Sequence, residues 1–224
     1  MVNRLSAPDP AWLAVDNYIA SHLLGDDQAL DAVLAANAAA GLPDIAVSPP
    51  QGRMLQLMAR MTGARRILEI GTLGGYSAIC LARALPEDGL LVTLEIDPHC
   101  VEVAKRNFDR AGIAHKIELI PGRAAEILPL LEGPFDFVFI DADKPSNALY
   151  LKEAMRLSRP GTAIVVDNVV REGAVLDMDS ADESAAATRA LYEAVGAEPR
   201  LTATAIQTVG AKKWDGFLLA LVDM

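Results

Sequence analysis

From Arg66 onward the chain alternates short apolar runs with amphipathic stretches, a rhythm that few folds can satisfy. Arg66–Ile70, Leu90–Glu95, Lys116–Ile120, Phe135–Asp141 and Thr162–Asp167 read as strands. Tyr76–Leu85, Pro98–Ala111, Ala124–Leu131, Ser146–Leu157 and Glu183–Val195 read as helices, the second opened by Pro98 and closed at Gly112. Strands that alternate with helices specify a parallel sheet covered on both faces. The ending breaks the alternation. Leu201–Thr208 and Phe217–Val222 are strands separated only by the short polar segment Gly210–Asp215. No crossover helix fits there, so the pair is expected as an antiparallel hairpin. The expected class is α/β, with a seven-stranded, mostly parallel sheet carrying one antiparallel strand.

Ahead of this core, Ala11–Leu24, Asp27–Ala40 and Pro50–Met61 carry helical spacing, so residues 1–62 are expected as an N-terminal helical extension and residues 63–224 as the α/β core of a single domain. Hydrophobic residues make up 52% of the chain, enough for a large core. No apolar run reaches the roughly 18 residues that would span a bilayer. Asp9, Asp16 and Asn17 interrupt the apolar stretch a secretory leader needs, so a cytoplasmic location is expected. Cys80 and Cys100 fall in different elements without metal-type spacing and read as reduced structural residues. The formal charge of −10 argues against a polyanion as the main partner.

In an open parallel sheet, ligands bind beyond the carboxyl ends of the strands. Acidic residues collect there: Glu69 ends the first strand, Glu95 the second, Asp141 the fourth and Asp167-Asn168 the fifth. Buried carboxylates are costly unless something pairs with them, and four strand ends of this kind point to a site. The turn after the first strand, Glu69-Ile-Gly-Thr-Leu-Gly-Gly-Tyr-Ser77, holds Gly71, Gly74 and Gly75, which would let a ligand approach the backbone. Its spacing is not that of the dinucleotide fingerprint, and Glu69 suits an ammonium group better than a pyrophosphate. Glu95 can accept hydrogen bonds from ribose hydroxyls. Asp97 reads as the cap of the helix opened by Pro98.

With these residues in view, the chain resembles the metal-dependent class I O-methyltransferases, the group of catechol and caffeoyl-CoA O-methyltransferases, from about Val47 to its end. The likeness rests on Glu69-Ile-Gly-Thr, Tyr76-Ser77, Leu94-Glu95-Ile-Asp97, Asp141-Ala-Asp-Lys144, Asp167-Asn168 and Trp214-Asp215-Gly216, in that order. It implies a Rossmann-like sheet and S-adenosylmethionine as cofactor, bound by Val47, Glu69, Gly71, Thr72, Gly75, Tyr76, Ser77, Glu95, Ala124 and Asp141. It implies a divalent cation on Asp141, Asp167 and Asn168, all oxygen donors suited to Mg²⁺, with Ca²⁺ or Mn²⁺ as alternatives. Lys144 matches the family's catalytic lysine, acting beside Asp141. In the implied reaction two vicinal hydroxyls of a small aromatic substrate chelate the metal, Lys144 accepts a proton or steadies the oxyanion, and S-adenosylhomocysteine (SAH) leaves. The family is often dimeric, and the Ala- and Leu-rich N-terminal helices could cover a partner, so a homodimer is expected.

The chain departs from the family at Pro145, Ser146 and Asn147, the last standing where a tyrosine is common. Tyr150 follows Lys144 by six residues, and helix packing explains it and Tyr76 as well as a ligand does. Asp215 reads as a turn residue or a neighbour of the substrate, and Val169–Ala181 as an acidic lid. Two further functions stand beside catechol-type methylation: methylation of a hydroxylated uridine in tRNA, served by Arg53, Arg60, Arg65 and Arg66, and a catalytically silent dimeric module. The net charge disfavours the first, and the full ligand set with Lys144 disfavours the second.

Overall fold

A computed structural model describes residues 7–224; Met1–Ser6, part of the stretch read for a leader, lie outside the described residues. Three helices come first: α1 (Pro10–Ile19), α2 (Gln28–Ala39) and α3 (Pro49–Met61). Each begins where a short side chain caps the free amides. Asp9 accepts from Ala11 N at 2.8 Å, Asp27 from Leu30 N at 3.1 Å, and Ser48 from Gln51 N ahead of two prolines. The helix expected over Ala11–Leu24 is divided. It is α-helical to Ile19, widens into a π turn over Ala20–Leu24, and stops at Gly25, whose φ is 68°.

The core follows as β1 (Arg66–Ile70), α4 (Tyr76–Ala82), β2 (Leu90–Glu95), α5 (Pro98–Arg110), β3 (Ile117–Pro121), α6 (Ala124–Ile127), β4 (Phe135–Ile140), α7 (Asn147–Arg156), β5 (Ser158–Asp167), α8 (Glu183–Ala197), β6 (Leu201–Gly210) and β7 (Lys213–Val222). The strands form one seven-stranded Rossmann-like sheet in the order β3-β2-β1-β4-β5-β7-β6. The first five strands pair in parallel and β7 runs antiparallel to both neighbours. The hairpin is tighter than expected. Trp214 and Asp215 enter the ladder opposite Val209 and Thr208, leaving only Ala211 and Lys212 to turn. Polar residues are tolerated in this ladder because β6 is an edge strand whose side chains are mostly exposed.

Side chains alternate across the sheet with period two. Leu68, Ile70, Val92, Leu94, Val138 and Ile140 face the α7–α8 layer. Ile67, Leu91, Phe137 and Phe139 face the layer of α3 and α4. The same alternation and register set Glu69 beside Thr93 in the second, apolar layer. α3 packs along α4, and α2 rests on α4 and α5, so the N-terminal helices cover the carboxyl side of β1 and β2. Among the described residues no helix is long and apolar enough to cross a membrane. Both cysteines are free and buried.

Candidate active site

Strand order reverses between β1 and β4, and a ligand crevice belongs at such a switch point. A cavity of about 710 Å³ opens there, within the range of small-molecule sites. Its wall gathers residues from the ends of β1, β2, β3, β4 and β5, together with the segment before α3. Of the residues singled out in the sequence, Val47, Gly71, Thr72, Tyr76, Ser77, Glu95, Ala124, Asp141, Lys144, Tyr150 and Asn168 line it. Glu69, Gly75 and Asp167 stand behind the wall.

The turn after β1 owes its glycines to protein neighbours. Gly71 has φ 100°, and a side chain there would overlap the Asp141 carbonyl, so the residue lets the ends of β1 and β4 lie against each other. A side chain at Gly74 would overlap the carboxamide of Asn37 on α2, and one at Gly75 would overlap the Phe108 ring. Thr72 turns its hydroxyl inward, 2.6 Å from Thr93 Oγ1 and 3.2 Å from the Leu94 carbonyl, so it offers the cavity chiefly backbone.

Glu95 is held by three amides. Its Oε2 accepts from Thr72 N at 3.1 Å and Leu73 N at 2.7 Å, and its Oε1 from Asp97 N at 2.9 Å. Charge-assisted bonds of this kind fix the carboxylate before any ligand arrives, with lone pairs left toward the cavity. Asp97 accepts from His99 N at 2.7 Å as the cap of α5. Behind them Glu69 is fully buried. Its Oε2 accepts from Thr93 Oγ1 at 2.6 Å while Oε1 has no partner. Burial pushes its carboxyl up to about 8; the Thr93 bond and the nearby Ser77 hydroxyl on the wall work against that rise, and the charges of Asp141 and Glu95 add to it.

Also on the wall, Lys144 Nζ, almost enclosed, donates to Asp141 Oδ1 at 3.0 Å. Asp167 is buried beyond them. Loss of solvent and the Asp141 charge raise its pKa, partly offset by Lys144. Asn168 stands at φ 59°, a left-handed conformation that asparagine tolerates better than most residues. Two carboxyls thus act on each other with one lysine to offset them, a set short of positive charge. Among the described residues no group of three His, Cys, Asp or Glu is poised for a metal; the set here is two carboxylates and an amide. Their hard oxygens fit a Mg²⁺-type cation.

Tyr150 donates from its hydroxyl to Asp143 Oδ1, and both line the wall. Asp215 acts through the chain beside it: its Oδ1 accepts from Val170 N at 3.0 Å, Arg171 N at 2.9 Å and Gly216 N at 2.9 Å. It thereby pins the segment after Asn168, which is no plain loop but contains a 3₁₀ turn over Arg171–Leu176 with left-handed Arg171 and Glu172. Of the arginines weighed for RNA, Arg65 pairs with Asp88, while Arg66 binds the Pro134 and Glu132 carbonyls and lies 4.7 Å from the Phe135 ring centre. Asn37, Leu73, Ile96 and Asp143 line the cavity without having been read as site residues. Leu73, Ile96 and Asp143 fall inside the motifs already noted, and Asn37 stands out as the lone polar residue in an alanine run.

The family model described as O-methyltransferase matches residues 20–221. The catechol O-methyltransferase of Mycobacterium tuberculosis is 54% identical over 209 residues, covering 93% of this chain and 94% of that protein. The crystal structure of the O-methyltransferase from Bacillus cereus in complex with SAH superposes with a TM-score of 0.94 at 49% identity, over 95% of this chain and 99% of that one. TomG from Streptomyces achromogenes, an O-methyltransferase involved in tomaymycin synthesis and solved with SAM, gives 0.93 at 48% identity, over 99% and 100%.

Proposed function

The chain belongs to the O-methyltransferase family, and we propose that it moves the methyl group of S-adenosylmethionine to one oxygen of a small vicinal dihydroxy, catechol-like acceptor, with a divalent cation on Asp141, Asp167 and Asn168. The observation that carries this reading is one cavity lined by two chemically different sets of groups, Glu95 with the glycine turn, and Lys144 with Asp141 and Asn168. The names of the relatives support it, as do the SAH and SAM complexes of the B. cereus and Streptomyces proteins.

Bound, S-adenosylmethionine supplies a methyl already activated on a sulfonium, and the cation supplies charge that makes an acceptor hydroxyl more acidic. The chain supplies position. Glu95, already fixed by three amides, would accept from the ribose hydroxyls, while Ser77, Val47 and the backbone of Gly71 and Thr72 would flank the rest of the donor. Gly75 shapes the turn, and Ala124 on the wall would meet the adenine. Tyr76 lines the wall, and Glu69, sealed behind Ser77, braces the turn through Thr93. Lys144, its place kept by Asp141, would steady the oxyanion as an ammonium, or take the acceptor's proton at Nζ as a neutral amine. Holding acceptor oxygen and methyl in line accounts for most of the rate gain.

The test is methyl transfer to a panel of catechols, with and without EDTA, in the wild type and Asp141→Ala. Expected is methylation that EDTA abolishes and that Asp141→Ala reduces about 100-fold or more, as for loss of a charge-stabilising group. Transfer insensitive to both treatments would remove the cation and Asp141 from the chemistry.

A further inference from the structure

One buried polar side chain on the cavity wall has no part in the reaction just described. Asn37 lies on α2, is only 6% exposed, and faces the cavity beside Leu73 and Gly74. Its orientation follows from its neighbours. Arg110 Nη1 donates to Asn107 Oδ1 at 2.9 Å, which turns the Asn107 amide nitrogen the other way. That nitrogen donates to the Gly74 carbonyl at 2.8 Å and to Asn37 Oδ1 at 3.1 Å. With its oxygen committed to Asn107, Asn37 presents Nδ2 elsewhere, and among the described residues no acceptor takes a hydrogen bond from it. It is absent from the sealed, unpartnered atoms, as expected of a group open to the cavity. The overlap that a side chain at Gly74 would cause with Asn37 gives the same picture: Gly74 is glycine so that α2 can seat its amide against the turn.

Buried amide N–H groups are seldom left without a partner, and one on a ligand cavity asks for an acceptor on the ligand. We propose that Asn37 Nδ2 donates a hydrogen bond to an oxygen of the bound S-adenosyl compound, making α2 a working part of the methyl-donor site. The proposal rests on the reading that this cavity takes S-adenosylmethionine, and adds a binding residue from outside the α/β core. Asn107 is the positioning residue, since it aims Asn37 and ties it to the glycine turn. A second tie, 2.9 Å between His99 Nε2 and the Ala40 carbonyl, holds the end of α2 to the start of α5.

Calorimetric titration of the full chain with SAH tests it, using the wild type, Asn37→Asp and Asn37→Ala, each with its melting temperature. Asn37→Asp keeps an oxygen for Asn107 and replaces the donor by an acceptor. Expected is Kd for SAH raised about 10- to 100-fold with melting unchanged, and KM for S-adenosylmethionine raised with kcat retained at saturation. A folded Asn37→Asp that binds SAH within about twofold of wild type overturns the proposal; if that variant does not fold, Asn37→Ala is read in the same way. Hydrogen exchange on the wild type needs no variant: SAH should slow exchange across Gln28–Ala39, and unaltered exchange there also overturns it. Failure of the wild type to bind SAH would instead remove the reading of the cavity itself.

Discussion

Replacing Glu69 by Gln isolates a strongly perturbed carboxyl of the fold. In the folded chain Glu69 is fully buried, bonded to Thr93 through Oε2 and to nothing through Oε1. Its carboxyl is raised from 4.5 to about 8, burial being the main cause. Between those two values the folded chain keeps a proton that the unfolded chain has released. Stability contributed by this group is therefore complete below pH 4.5, falls as pH rises, and is level again above about 8. The slope is about 1.4 kcal/mol per pH unit, and the whole window amounts to on the order of 5 kcal/mol. Gln has nearly the same shape and stays neutral throughout. Urea unfolding of wild type and Glu69→Gln at several pH values cancels every other titrating group in the difference. The variant should gain on the wild type by about 4 kcal/mol between about pH 5 and about pH 8, whatever constant offset its amide introduces. A difference that stays flat across that range would refute the assignment of a buried, protonated Glu69.

The remaining predictions concern packing and assembly. Gly74→Ala should destabilise the fold by about 1–3 kcal/mol through overlap with Asn37, and the cost should shrink in an Asn37→Ala background. Additive effects in that double-mutant cycle would show that the two residues do not meet. Leu13, Val15 and Tyr18 on α1 are exposed, as a helix covered by a partner subunit would leave them in a single chain. Sedimentation equilibrium should accordingly return twice the 23.8 kDa of the chain, and a monomer at micromolar concentration would remove the dimer.

Periodicity along the sequence determined the sheet. Hydrophobic alternation and helix caps are local, so β1 and β2 fall on Arg66–Ile70 and Leu90–Glu95 as expected, and Asp97 caps α5. The clustering of acids at strand ends was legible for the same reason: parallel strands bring their carboxyl ends to one edge, whatever loops join them. What each polar residue does there depended on neighbours far away in the chain. Glu69 and Thr93 meet through strand register, and Gly74 answers to Asn37 on a helix that no local pattern ties to the turn. Asp215, legible as a turn residue or a neighbour of the substrate, became the anchor of Val170 and Arg171 once β7 lay beside β5. A sequence read locally carries period and capping chemistry; which side chains lie within 3 Å of one another is decided only when the layers pack, because that is set by register and close contact between segments.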